Sequence, residues 1–76
     1  MNLSELKQGE TASITGFAQS GETKIIQRLM ELGFFEGARV SIKHFGPVGK
    51  DPIAVEVSGV LFGIGRKEAQ LVEVQK

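Results

Sequence analysis

His44 is the only histidine in the chain and there is no cysteine, so the side chains that most often act as general base, nucleophile or soft-metal ligand are reduced to one. A lone imidazole can relay a proton only with a positioned partner, and no Ser, Thr or carboxylate stands at a recognisable catalytic spacing from it. Glu36, Asp51 and Glu68 offer hard oxygens, but they are scattered, and a calcium-type site needs about six to eight such ligands. Gly63-x-Gly65 has neither a third glycine nor a following helix-opening Lys-Ser/Thr, so it supports neither dinucleotide nor P-loop binding. The residues therefore predict no catalytic set, no cofactor and no metal site. The remaining chemistry is surface recognition.

The composition bounds what kind of surface that is. Within 76 residues, 9 Lys and Arg balance 9 Asp and Glu, which lacks the positive footprint of a nucleic-acid binder. With 41% hydrophobic residues the chain suits one small globular domain over residues 1–76. The absence of cysteine excludes a disulfide framework, a thiolate zinc site and an iron–sulfur cluster, and fits a reducing compartment such as the cytoplasm. No run approaches the roughly 20 apolar residues that span a bilayer, and the start carries Glu5 and Lys7 rather than a signal-peptide pattern.

The elements that must position any surface follow from periodicity. Leu3 to Gly9 reads as a helical turn that Ser4 can cap. Thr11 to Phe17 alternates with Ala12 and Ile14 on one face, the pattern of a half-buried strand. From Gly21 to Leu32 the period becomes helical: Ile25, Ile26, Leu29, Met30 and Leu32 cover an arc of about 160°, with Ser20 as N-cap and Gly33 as the stop. Arg39 to Phe45 alternates with Val40, Ile42 and His44 inward. Gly46 to Pro52 reads as a surface loop. Ile53 to Val57 and Val60 to Ile64 form a hairpin about Ser58-Gly59, and Gly63 and Gly65 suggest bending of the latter strand. Arg66 to Ala69 is a short helical turn, and Val72 and Val74 belong to a last strand.

This order predicts an all-β fold with one inserted helix: a small SH3-like barrel of about five antiparallel strands, closed so that no edge stays bare, with the helix after the first strand. A split α+β sheet is the alternative. At this point the sequence resembles a known family. Arg28-Leu29-Met30-Glu31-Leu32-Gly33-Phe34, followed by Gly37 and Val40, is similar to the RLxxLG(F/L)xxG motif of FeoA domains. Gly46-Pro47-Val48-Gly49, Asp51-Pro52, Val55, Gly59 and Arg66-Lys67-Glu68-Ala69 follow in the order that family shows, so the likeness runs from about Leu3 to Val74. Lys50 intervenes where the family usually runs directly into Asp-Pro, which lengthens the loop.

The resemblance implies a small cytoplasmic accessory protein of bacterial ferrous iron uptake. Its implied partner is a FeoB-type inner-membrane permease with its own GTP-binding domain, on which it would dock as a regulatory protein-interaction module without inserting into the membrane. FeoA domains also resemble the SH3-like domain that ends iron-dependent repressors, so a repressor-type domain and a nucleic-acid-binding SH3-like barrel are the rival readings. For docking, Ile25, Leu29 and Leu32 are assigned to the core. Met30 at the edge of the apolar arc, with Phe34 and Phe35 in the turn after it, is the candidate exposed patch. Leu61, on the outward parity of its strand, and Val48, at the loop tip, are further candidates. The same patch could drive weak self-association.

Overall fold

The computed structural model describes residues 1–19 and 22–76. Five strands, β1 (Thr11–Phe17), β2 (Arg39–Val48), β3 (Asp51–Val57), β4 (Val60–Ile64) and β5 (Val72–Gln75), form one antiparallel sheet in the order β4-β3-β2-β1-β5. Helix α1 (Thr23–Leu32) follows β1, a four-residue helix α2 (Arg66–Ala69) precedes β5, and a 3₁₀ turn covers Leu3–Glu5. This is the expected SH3-like element order with one departure. Among the described residues β4 and β5 do not pair, so the sheet is curved but open.

The curvature has a different source from the one the glycines of β4 suggested. β3 and β4 pair in unbroken register from Val57↔Val60 to Ile53↔Ile64. The irregularities lie in β1, between Ile14 and Gly16, and in β2, between Ile42 and His44 and between Phe45 and Val48. An extra residue in one strand bends it and reverses the side-chain alternation beyond. Ile42 faces Val55 while His44 faces the adjacent Ala54, so Lys43 is the extra residue. His44 consequently turns to solvent, against its expected inward parity, and Phe45 packs against the core in its place.

The expected loop after Phe45 is also largely strand. β2 runs on to Val48, β3 begins at Asp51, and the chain reverses in Gly49-Lys50 with φ of 64° and 58°. Two successive positive-φ residues match the twist of a two-residue hairpin. Lys50, the intervening residue, thus supplies the second corner of the turn, with its ammonium 5.5 Å from the centroid of the Phe45 ring. At the neck of this arm the strands approach so closely that a Cβ on Gly46 would lie 2.4 Å from the Asp51 carbonyl oxygen.

The inner face of the sheet supplies Ala12, Ile14, Val40, Ile42, Ile53, Val55, Val57, Ile64, Val72 and Val74 to one core, which Leu3 and Leu6, Leu29 and Phe34, Ala38 and Ala69 complete. α1 buries only Leu29 fully, with Ile25 packed against the core, and Leu32 is exposed rather than buried as its helical position suggested. A ten-residue helix on so small a core buries the centre of its arc of about 160° at Leu29 and leaves both flanks, Met30 on one side and Leu32 on the other, facing water. The helix N-cap is Glu22, without a side-chain bond; Ser20, expected in that role, lies outside the described residues. The 3₁₀ turn is capped by Asn2 rather than Ser4: Asn2 Oδ1 accepts the Ser4 N–H at 3.0 Å, and Glu5 Oε1 accepts the Asn2 N–H at 2.7 Å.

Candidate functional surface

The exit of α1 determines which of its apolar residues stay outside. Gly33 adopts φ 112°, its N–H donates to the Met30 carbonyl at 3.0 Å, and the Phe34 N–H donates to the Leu29 carbonyl at 3.0 Å. This paired closure of a helix end reverses the chain and brings the residue after the glycine back onto the last turn. Phe34 is therefore fully buried, beside Phe62 with ring centroids 5.6 Å apart and planes at 58°. Its assignment to an exposed patch is corrected: it belongs to the core. The signal was present in Leu29…Gly33-Phe34, the spacing at which an apolar residue after the capping glycine meets the last helical turn.

Met30 and Phe35, on either side of that closure, are 46% and 50% exposed. Leu32 joins them at the same end of the helix. Together they present the side chains of a core to solvent.

A second apolar region lies on the outer face of β2, β3 and β4. The register places His44, Ala54 and Gly63 in one row across the sheet, and because the last two are small the row forms the floor of a groove. Pro47 and Pro52 on the arm, with Leu61 and Phe62 on β4, complete a concavity of about 380 Å³. Leu61 is 54% exposed, and its neighbour Val60, expected to face inward, is 53% exposed because it lies on the edge strand, whereas Val57 opposite it on the interior strand β3 is buried. Val48 is 79% exposed at the tip of the arm and does not line the groove. The structure thus scatters the expected docking residues: Met30 and Phe35 lie at the exit of α1, Leu61 lines the groove, Val48 stands alone at the arm tip and Phe34 is in the core. Val60, Leu32 and the two prolines were missed because parity and helical phase describe a face without saying where the core ends.

Two of the three carboxylates considered as cation ligands, Asp51 and Glu68, hold backbone N–H groups instead. Asp51 Oδ1 accepts the Arg66 N–H at 3.0 Å, tying the arm to the start of α2, and Glu68 Oε1 accepts the Gly65 N–H at 2.8 Å. Among the described residues, no three His, Asp or Glu side chains converge. Near Leu61 the charges are already paired, Lys43 Nζ lying 3.7 Å from Glu56 Oε1.

Comparison with known proteins is decisive for the family. The FeoA domain model matches residues 1–76. The chain belongs to the FeoA family. It is 42% identical to the FeoA protein of Chlorobium tepidum, whose solution structure it matches with a TM-score of 0.87 over 97% of this chain and 68% of that one. It is 36% identical to Stenotrophomonas maltophilia FeoA, solved in complex with zinc and described as an SH3 domain protein put forward as a ferrous iron transport activating factor; the TM-score is 0.86, over 99% of this chain and 89% of that one. A manganese-dependent transcriptional repressor matches with a TM-score of 0.85, over 97% of this chain and 40% of its own, at 15% identity, a likeness of fold alone. No curated protein matches the chain. As a FeoA protein it belongs with the accessory and regulatory proteins of iron transport, and no described helix is long and apolar enough to cross a membrane.

Proposed function

We propose that this FeoA protein is a cytoplasmic, non-enzymatic accessory of ferrous iron uptake that docks on the cytoplasmic part of a FeoB-type permease and biases its GTP-linked cycle. A docking protein without chemistry of its own acts by binding one state of its partner more tightly than another. The observation that carries the reading is the exit of α1, where Met30, Leu32 and Phe35 each stay exposed while Phe34, between them in sequence and in the closure, is buried. Family membership supplies the iron-transport context. The identity to the Stenotrophomonas protein, put forward as a transport activating factor, supports a regulatory role.

The test is co-purification with the permease. Met30→Glu or Phe35→Glu is expected to weaken docking by about 2 kcal/mol, roughly thirtyfold in Kd, as for an interface anchor, while far-UV circular dichroism stays unchanged. Unaltered binding by both folded variants would remove this surface from the interface.

A further inference from the structure

The sheet is open, and among the described residues nothing pairs with the free edge of β4. The Ser58-Gly59 turn, with φ of 52° and 80°, is a two-residue hairpin, so the flanking Val57 and Val60 form a hydrogen-bonded pair. Hydrogen-bonded pairs alternate along the unbroken register. Val55–Phe62 and Ile53–Ile64 bond in turn, and Leu61 and Gly63 direct their N–H and C=O groups away from β3. No other described backbone group meets them. Natural sheets blunt such an edge with charge, proline or a bulge. Val60-Leu61-Phe62-Gly63-Ile64 has none of the three.

We infer that β4 pairs with β4 of a second copy, antiparallel about a two-fold axis through Phe62. In that register Leu61 stands opposite Gly63 of the second copy, and Gly63 opposite its Leu61. Both residues with free backbone groups then exchange hydrogen bonds, twice over by symmetry. Directly opposed residues share a face, so Leu61 of the second copy lies over Gly63 on the outer side. The space there is open: a Cβ on Gly63 would meet nothing within 4 Å. Beside it lies the groove floored by Ala54 and walled by Pro47 and Pro52. On the inner side Phe62 meets its own copy, and the exposed Val60 meets Ile64.

The strand therefore carries in Leu61 the side chain that its own Gly63 lacks, which favours a second copy over a strand of another protein. Centring the axis on Leu61 instead would set Leu61 against itself and Gly63 against the turn residue Gly59, losing the fit. With a net charge of zero and no charged residue in β4, copies meet without repulsion.

Sedimentation of the purified chain over a concentration series rising to roughly 1 mM tests this. The mass is expected to climb from 8.2 kDa toward twice that value. Leu61→Lys should hold it at the monomer with unchanged circular dichroism. Because the chain has no cysteine, the register can be read directly by mixing Leu61→Cys with Gly63→Cys chains under mild oxidation. Residues directly opposite, with Cα atoms about 5.5 Å apart, lie within disulfide reach, so the mixture should yield a cross-link joining one chain of each kind, well above the yield of either variant alone. A chain that stays monomeric throughout overturns the proposal and leaves the edge to a strand of another protein. A dimer that survives Leu61→Lys, or a mixture without the mixed cross-link, overturns it equally. Met30→Glu should leave the dimer intact, so this result and the permease-docking test fail independently.

Discussion

The two edges of the sheet are treated in opposite ways. Along β5 the first residues of the chain act as cover: the Val74 N–H donates to the Met1 carbonyl at 2.8 Å, and Asn2 bridges Glu73. The capping box of Asn2 and Glu5 locks that segment, and the buried Leu3 anchors it to the core. Along β4 nothing comparable is found among the described residues, and Val60 and Leu61 lie exposed beside an apolar groove. An open sheet of this size thus hides one edge with its own chain and keeps the other available. The element that removes a hazard on one side shows what its absence on the other permits.

This contrast can be broken from the covered side. Leu3→Ala removes the anchor and is expected to cost about 2–5 kcal/mol, read as a lower denaturant midpoint. If the cover matters as an edge cover, the residual folded protein should also self-associate through β5, in a way that Leu61→Lys does not suppress. Asn2→Ala is gentler: loss of the cap should cost about 1 kcal/mol, with protection of the Val74 amide from hydrogen exchange falling more than that of Val55 in the core. Equal loss at both amides would mean that cover and core open as one unit.

The smallest effect is at the far end of β5. Lys76 Nζ lies 2.8 Å from Glu10 Oε2, and this bond, with the Lys7 N–H donated to the same carboxylate, holds Glu10 below its ordinary value of 4.5. A carboxyl whose pKa is lowered on folding stabilises the fold above its unfolded value and loses that contribution as pH falls through the folded one. Glu10→Gln should therefore be slightly less stable than the wild type at neutral pH. The gap should close by about pH 2 in paired urea titrations. A constant gap would assign the effect to packing.

Much of this was legible in the residue pattern. β1, β3, β4 and the short α2 follow from alternation and turn chemistry, because each turns buried residues to the core and Gly9, Gly49, Ser58-Gly59 and Gly65 punctuate the chain between them. Three features were not. Openness depends on whether β4 and β5 meet, a matter of sheet curvature that no local period encodes. The position of Phe34 depends on how the helix closes after Gly33 rather than on the hydrophobicity of Phe34 and Phe35, which look alike in sequence and end up fully buried and half-exposed. Among the candidate docking residues, Met30, Phe35, Val48 and Leu61 stand outside as exposure arguments suggested. The groove escaped notice because its floor is made of an alanine and a glycine, residues whose significance lies in the space above them.

The extra residue at Lys43 has a consequence for how β2 is spelled. Counted from Arg39, inward positions fall on Val40 and Ile42; beyond Lys43 the count restarts, and Phe45 is inward while His44 looks out. The strand is written in two phases joined at one letter. The imidazole on the groove floor and the phenyl ring beneath Lys50 keep their separate addresses only because that letter is there.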